Sequence, residues 1–278
     1  MLVNLSEILK IAEDTKTAVG SFNTPNMTSL LAVLDAAEEL KRPVILMHAQ
    51  VHEEMGFCKM AEIAPVMRLF AERASVPVCV HLDHGTDLAY IEKGLSLGFN
   101  SVMYDGSTLP SEENLENTRK ARELSLAFGA SLEAEIGSMG ARESGASGTQ
   151  DESIYTDPEA AKAFVEQTGI DALACAFGTA HGVYLKQPKL DIPRLEKINS
   201  LVSVPLVMHG GSGVSVLDYR RVIARGIRKI NYYTYMAKAG GSALAQMKEL
   251  TFFHDVEVEA RRAMKEDVLQ AIRIFSGK

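Results

Sequence analysis

Short apolar, β-branched runs alternate along the chain with longer stretches in which apolar residues recur at helical spacing. The runs occupy 17–22 (TAVGSF), 43–48 (PVILMH), 76–82 (VPVCVHL), 99–105 (FNSVMYD), 130–136 (ASLEAEI), 171–177 (DALACAF), 203–209 (SVPLVMH) and 226–232 (GIRKINY). Such alternation is the signature of parallel βαβ units. Helix punctuation sits between the runs. Thr24 and Pro25 are placed to open one helix, Ser111 with Glu112 and Glu113 opens a second that Gly129 closes, and Asp157 with Pro158 opens a third that ends at Gly169. Eight strand–helix units in 278 residues predict an α/β fold, a single (β/α)8 TIM barrel over residues 1–278, rather than an open doubly wound sheet. No GxGxxG follows the first run, which weakens a dinucleotide-binding reading. Beyond residue 240 two helical patterns carry no strand, and they are expected to cover the barrel or contact another subunit.

Composition narrows the partners. Lys and Arg number 29 against 36 Asp and Glu, a net charge of −7 that offers no attraction to phosphate backbones or anionic lipid. Neither nucleic acid nor a membrane is an expected partner. The N-terminal MLVNLSEILKIAEDTK lacks the regions of a signal peptide, and no apolar run reaches bilayer-spanning length, so a cytoplasmic location is expected. Cys58, Cys79 and Cys175 are odd in number and widely spaced, and are expected to be buried reduced thiols.

In a barrel of this kind chemistry belongs at the C-terminal strand ends. There the chain has His81-Leu82-Asp83-His84, Asp105, Glu133 and Glu135, Gly178-Thr179-Ala180-His181-Gly182, His209-Gly210-Gly211-Ser212-Gly213, and Asn231 to Thr234. Three histidines from separate strand ends, His84, His181 and His209, can converge as neutral imidazoles on one divalent metal and leave a position open for substrate. His81, away from the tip, is expected to pack or to support a neighbour. Asp83 is suited either to act as a base on a metal-held hydroxyl or to orient a histidine. Asp105 and Glu135 can hold a second cation or hydrogen-bond the first ligands. HGGSG at 209–213 offers unobstructed backbone N–H groups to a phosphate, and it lies where barrels build phosphate sites, in the loops after strands seven and eight. The small, polar, glycine-rich segment 137–155 reads as a loop over the site, with Glu143 its most interesting carboxylate.

These motifs together resemble the class II, zinc-dependent ketose-bisphosphate aldolases of the fructose- and tagatose-bisphosphate type. The most specific segments are HLDH at 81–84, EAEIG at 133–137, GTAHGVY at 178–184, VMHGGSG at 207–213 and KIN at 229–231, and the likeness runs over nearly the whole chain. It implies a homo-oligomer, dimer or tetramer, acting on a phosphorylated sugar with one catalytic Zn2+ per subunit. By resemblance Asp83 is the acid/base, and His84, His181 and His209 are the zinc ligands. Gly182, Gly210, Gly211, Ser212, Asn231, Tyr232, Tyr233 and Thr234 contact dihydroxyacetone phosphate. Asp105 and Glu135 match a second metal position of some members, and Glu143 matches the loop glutamate of proton exchange. The implied reaction is aldol cleavage, in which Asp83 takes the C4 hydroxyl proton and zinc stabilises the enediolate.

Two segments depart from the family pattern. Met47-His48-Ala49-Gln50-Val51-His52 stands where the family has a small Ser/Thr-x-Gly turn, and Tyr232-Tyr233-Thr234-Tyr235 is more aromatic than usual. The alternatives are a class II aldolase acting on a different sugar or sugar-acid phosphate, a non-catalytic sugar-phosphate-binding or partner subunit, and a metal-dependent amidohydrolase. The last usually opens with His-x-His on an early strand, and none occurs here.

Overall fold

Strand β1 (Val19–Asn23) pairs in parallel with β2 (Val44–Ala49) on one side and with β8 (Ile227–Tyr232) on the other. Between them β3 (Val78–Gly85), β4 (Ser101–Tyr104), β5 (Ser131–Ile136), β6 (Ala172–Cys175) and β7 (Leu206–Met208) follow in sequence order, so the sheet closes into an eight-stranded parallel barrel. The computed structural model describes residues 1–137, 155–247 and 252–277. Helices run between consecutive strands, as the alternating pattern requires: α2 (Met27–Leu40), α3 (Gln50–Glu54) with α4 (Met60–Arg73), α5 (Leu88–Ser96), α6 (Ser111–Ala127), α7 (Pro158–Thr168), α8 (Ile192–Leu201) and α9 (Val216–Ile223). α1 (Leu5–Thr15) precedes β1, and α10 (Thr234–Leu244) and α11 (Phe253–Phe275) follow β8. Among the described residues no helix is long and apolar enough to cross a membrane.

Side chains alternate across each strand, which separates two cores. Residues such as Phe22, Leu46, Val80, Leu132 and Leu173 pack outward under the helices. The inward set Val19, Ile45, Met47, Cys79, Met103, Ala172, Ala174 and Val207 packs against Leu5, Ile8, Leu9 and Ala12 of α1. Helix α1 therefore stoppers one end of the barrel, its start fixed by a capping box in which Asn4 Oδ1 accepts from the Glu7 N–H at 2.9 Å. Toward the opposite end the inward positions turn polar yet stay buried: Asn23, Asp83, Glu133, Glu135, Lys229 and Asn231. Buried polar groups must find partners or lose stability.

Several expected boundaries shift, each for a local reason. α2 is capped by Asn26, which accepts from the Ser29 N–H at 2.9 Å, while Thr24 continues the strand by donating its N–H to the Met47 carbonyl at 2.9 Å. β7 is only three residues long; the preceding Pro205 has no N–H to pair, although its carbonyl accepts from Leu173 at 3.1 Å. α10 begins directly after β8 rather than beyond residue 240, and α11 packs across α2 and α10 as a cover for the barrel. α6 and α7 start and stop as expected, with Gly129 and Gly169 at φ of +66° and +64°. Cys79 and Cys175 are buried free thiols, but Cys58 lies half-exposed in the turn between α3 and α4.

Candidate active site

Two neighbours on one strand normally face opposite sides, yet Asp83 and His84 both reach the barrel mouth. The register between β3 and β4 shifts between Leu82 and Gly85, and His84 takes a left-handed φ of +49°. Such an irregularity re-aims one side chain at a cost of order 1 kcal/mol, which the surrounding contacts offset. His181 arrives from the segment after β6 and His209 from the end of β7. The ring centroids lie 5.1 Å (His84–His181), 4.6 Å (His84–His209) and 6.0 Å (His181–His209) apart. One nitrogen from each ring falls within 4.8 Å of the others.

Carboxylates fix the two closest rings. Asp105 Oδ2 lies 2.9 Å from His84 Nδ1, and Glu133 Oε1 lies 2.7 Å from His209 Nε2. Because an ionised carboxylate only accepts, both of those nitrogens donate. The remaining pair, His84 Nε2 and His209 Nδ1, then faces lone pair to lone pair at 2.9 Å. That arrangement requires a cation between the rings, either a proton or a metal ion, so the donor set fits a divalent ion with imidazole ligands and carboxylate-oriented rings. Burial works against a charge on all three rings. It lowers His181 to about 3 and lowers His209, each with the His84 charge adding to the effect. At His84 burial is outweighed by the Asp83 and Asp105 carboxylates, which lift it to about 9.

Asp83 is 3% exposed and receives the side-chain amides of Asn23 and Asn231, each at 3.1 Å. Burial alone would raise its carboxyl, but the charges of His84, His209 and Lys229 hold it well below the usual range. It therefore stands as a carboxylate, 4.0 Å from His84 Nε2, at the edge of the imidazole cluster. The carboxylates that hydrogen-bond the rings are Asp105 and Glu133. This leaves Asp83 free to take a proton from a bound hydroxyl.

His84, Asp105 and Glu135 form a second grouping with ligand atoms within 4.8 Å. Asp105 is an ionised acceptor, held down by His84 and Ser107 against the effect of burial. Glu135 differs: burial, then the charge of Asp105, raises it well above its ordinary value, and Oε2 has no partner among the described residues. Burial and the Asp105 charge thus oppose the ionised form of Glu135 that cation binding needs.

The 209–213 loop is shaped by backbone. Gly210 has φ +61°, and a Cβ there would sit 2.4 Å from the Ala180 carbonyl oxygen. Tyr184 braces the same place, accepting from the Ala180 N–H at 2.7 Å and donating to the Gly210 carbonyl at 2.9 Å. Ser212 Oγ accepts the Tyr233 N–H at 2.9 Å, and the Gly211 N–H donates to the Asn231 carbonyl at 3.1 Å. The amides of Gly210, Ser212 and Gly213 have no acceptor among the described residues, and the first turn of α10, beginning at Thr234, has no side-chain cap. Gly182, beside His181, has φ +99°. Gly210→Ala is expected to lower the unfolding free energy by about 1–3 kcal/mol through left-handed strain and the backbone clash. A urea melt checks this; an unchanged midpoint would mean that the loop has room to move.

The expected site residues are mostly brought together, with two exceptions. Tyr232 points away from the mouth, edge-on to Phe22 and Phe275 at 5.9 and 6.1 Å, because the alternation that turns Asn231 inward turns its neighbour outward. Glu143 lies outside the described residues. Other groups have no role assigned from sequence: Asn23, Glu133 as the partner of His209, His52, and Lys229, whose Nζ lies 2.9 Å from Glu133 Oε2 with both side chains fully enclosed. Strand alternation was the available signal for Lys229, two positions before the inward Asn231.

Comparison with known proteins gives one consistent result. The family model described as "Fructose-bisphosphate aldolase class-II" matches residues 3–278. A "Probable fructose-bisphosphate aldolase" of Bacillus subtilis (strain 168) is 39% identical over 284 residues, covering 99% of this chain and 98% of that protein. The crystal structure of the YdjI aldolase from Escherichia coli K12 superposes with a TM-score of 0.88 at 36% identity, covering 99% of this chain and 97% of that one. A putative fructose-1,6-biphosphate aldolase structure from Coccidioides immitis gives a TM-score of 0.87 at 28% identity, over 98% and 96% of the two chains.

Proposed function

The chain belongs to the class II fructose-bisphosphate aldolase family of carbon–carbon lyases, and from that premise we propose that it reversibly cleaves a ketose 1,6-bisphosphate of the fructose or tagatose type. The products are dihydroxyacetone phosphate and an aldehyde. The observation that carries this reading is the pair of imidazole nitrogens facing each other at 2.9 Å, each ring held from behind by a carboxylate, beside an ionised Asp83.

His84, His181 and His209 would hold a zinc ion. When bound, that ion supplies Lewis-acid stabilisation for the negative charge the ketone half acquires. Asp83, in the carboxylate form, removes the proton from the C4 hydroxyl as the C3–C4 bond breaks, and returns it in the condensation direction. Asn23 and Asn231 fix both carboxylate oxygens and so set the approach of that hydroxyl. The amides of Gly210, Ser212 and Gly213, with the N-terminal end of α10, suit the phosphate of the ketone half. Gly211 serves by closing the loop onto β8 rather than by offering its own N–H. Asp105 and Glu133 hold the ring tautomers; a second divalent ion at Asp105 and Glu135 would require Glu135 to ionise.

The test is dihydroxyacetone phosphate release from fructose 1,6-bisphosphate and tagatose 1,6-bisphosphate in a coupled assay. Stripping with a chelator is expected to abolish release, and stoichiometric zinc to restore it. No release from either sugar with zinc demonstrably bound would overturn the bisphosphate assignment.

A further inference from the structure

The Ser/Thr-x-Gly turn expected after the second strand is replaced by helix α3, and α3 is braced from two sides. Glu53 Oε2 accepts from the Met60 N–H at 2.8 Å and the Tyr90 hydroxyl at 2.9 Å; Gln50 Oε1 accepts at 3.1 Å from the N–H of Thr86, two residues beyond His84. Between those anchors lies His52, only 7% exposed. Its ring is 4.8 Å from that of Tyr233 and is stacked on Phe57 at 5.5 Å. Tyr233 follows β8 and α3 follows β2, with β1 between the two strands. The ring contact therefore joins the segments that follow the two strands flanking β1, and β1 carries Asn23, the residue that holds Asp83. Behind Tyr233 is the phosphate loop, through its N–H to Ser212. His52 lies within reach of the Asp83 charge, and its Nδ1 is enclosed with no hydrogen-bond partner among the described residues. Burial lowers its pKa, with the charge of Asp83 the opposing influence, so the ring is neutral near pH 7 and offers one donor and one acceptor.

We propose that His52 is a specificity-determining residue of the aldol reaction, hydrogen-bonding an oxygen of the aldehyde half of the substrate in place of the missing turn. The enclosed nitrogen calls for a ligand, since an unpaired buried polar atom costs about 1–3 kcal/mol that a correctly placed oxygen recovers. That oxygen belongs either to a hydroxyl or to a phosphate of the aldehyde half. The proposal rests on the aldolase reading given above.

The two halves of the reaction separate the possibilities. Exchange of the carbon-bound proton of dihydroxyacetone phosphate with D2O, followed by NMR, involves the ketone half alone. Condensation with glyceraldehyde or glyceraldehyde 3-phosphate involves both halves. His52→Phe keeps a ring against Tyr233 and Phe57 and removes both nitrogens. It is expected to raise the aldehyde KM about 10-fold or more while proton exchange changes by less than about twofold. His52→Gln, which keeps a donor and an acceptor, is expected to recover part of the loss. A loss with both aldehydes assigns the contact to a hydroxyl, and a loss with the phosphorylated aldehyde alone assigns it to the phosphate. An unchanged aldehyde KM overturns the proposal. So does proton exchange that falls in step with condensation, because His52 would then act through Tyr233 on the phosphate loop. A wild-type enzyme that neither exchanges nor condenses, with zinc bound, overturns instead the reading of the site on which the proposal rests.

Discussion

Asp83→Ala is expected to lower aldol turnover by about 10³-fold while the purified protein keeps its full complement of zinc. The size follows from the role: a positioned general base contributes about 10²–10⁴-fold, and no other ionised carboxylate of the cluster is free of a ring. Asp105 and Glu133 are each committed to a histidine at 2.9 and 2.7 Å, and the ionisation of Glu135 is opposed by burial and by the Asp105 charge. Metal content should persist because none of the three imidazoles is oriented by Asp83; its nearest approach to His84 Nε2 is 4.0 Å. Alanine is a cleaner choice than asparagine. Asn23 and Asn231 both donate to the carboxylate, so Asp83→Asn would set one amide donor against another and disturb the pocket for a second reason. Turnover in the coupled assay and zinc by elemental analysis read the two consequences separately. Loss of zinc with loss of turnover would make Asp83 an orienting group and would remove the acid/base assignment.

What the sequence made legible follows from which physical rules are local. The eight strands were readable because each run is buried on at least one face and is bounded by helix caps that depend on a few neighbouring residues, as Asp157–Pro158 and Gly169 around α7 illustrate. The three histidines were readable because a parallel barrel places strand ends at a common rim. The Tyr232 side chain leaves the mouth because period-two alternation, applied from Asn231, sends it into the layer occupied by Phe22 and Phe275. The same alternation places Lys229 inside the barrel, but it does not say that Glu133 lies across from it; that pairing depends on closure of the sheet. The double presentation of Asp83 and His84 depends on a register shift between β3 and β4, which no single-strand pattern encodes. His52 was unreadable for a third reason. Its position requires α3, a helix of five residues braced by nearby Met60 and by Tyr90 and Thr86, partners distant in sequence from the segment they fix.

Lys229→Met is expected to destabilise the protein by about 3–5 kcal/mol, the usual consequence of removing one member of a fully buried ion pair, and to weaken zinc binding about 10–100-fold although Lys229 is not a ligand. The two effects have one cause. Burial would raise the Glu133 carboxyl, and Lys229 is the first of the charges that keep it ionised, with His209 and His81 contributing. As a carboxylate, Glu133 can only accept, so His209 carries its proton on Nε2 and presents the Nδ1 lone pair toward His84. Without Lys229 the carboxyl tends to take up a proton and donate to Nε2, which moves the ring proton to Nδ1, the nitrogen needed for the metal. Denaturant unfolding of the metal-free protein reads the first effect, and calorimetric zinc titration reads the second. The double variant Lys229→Met with Glu133→Gln distinguishes charge from packing. Glutamine leaves no unpaired charge and its carbonyl oxygen still accepts from His209 Nε2, so most of the stability and zinc affinity should return. A single variant that melts and binds zinc like the parent would sink the argument. A double variant as weak as the single one would assign the loss to the packing of the lysine stem among the barrel residues, leaving the His209 tautomer to be fixed by other means.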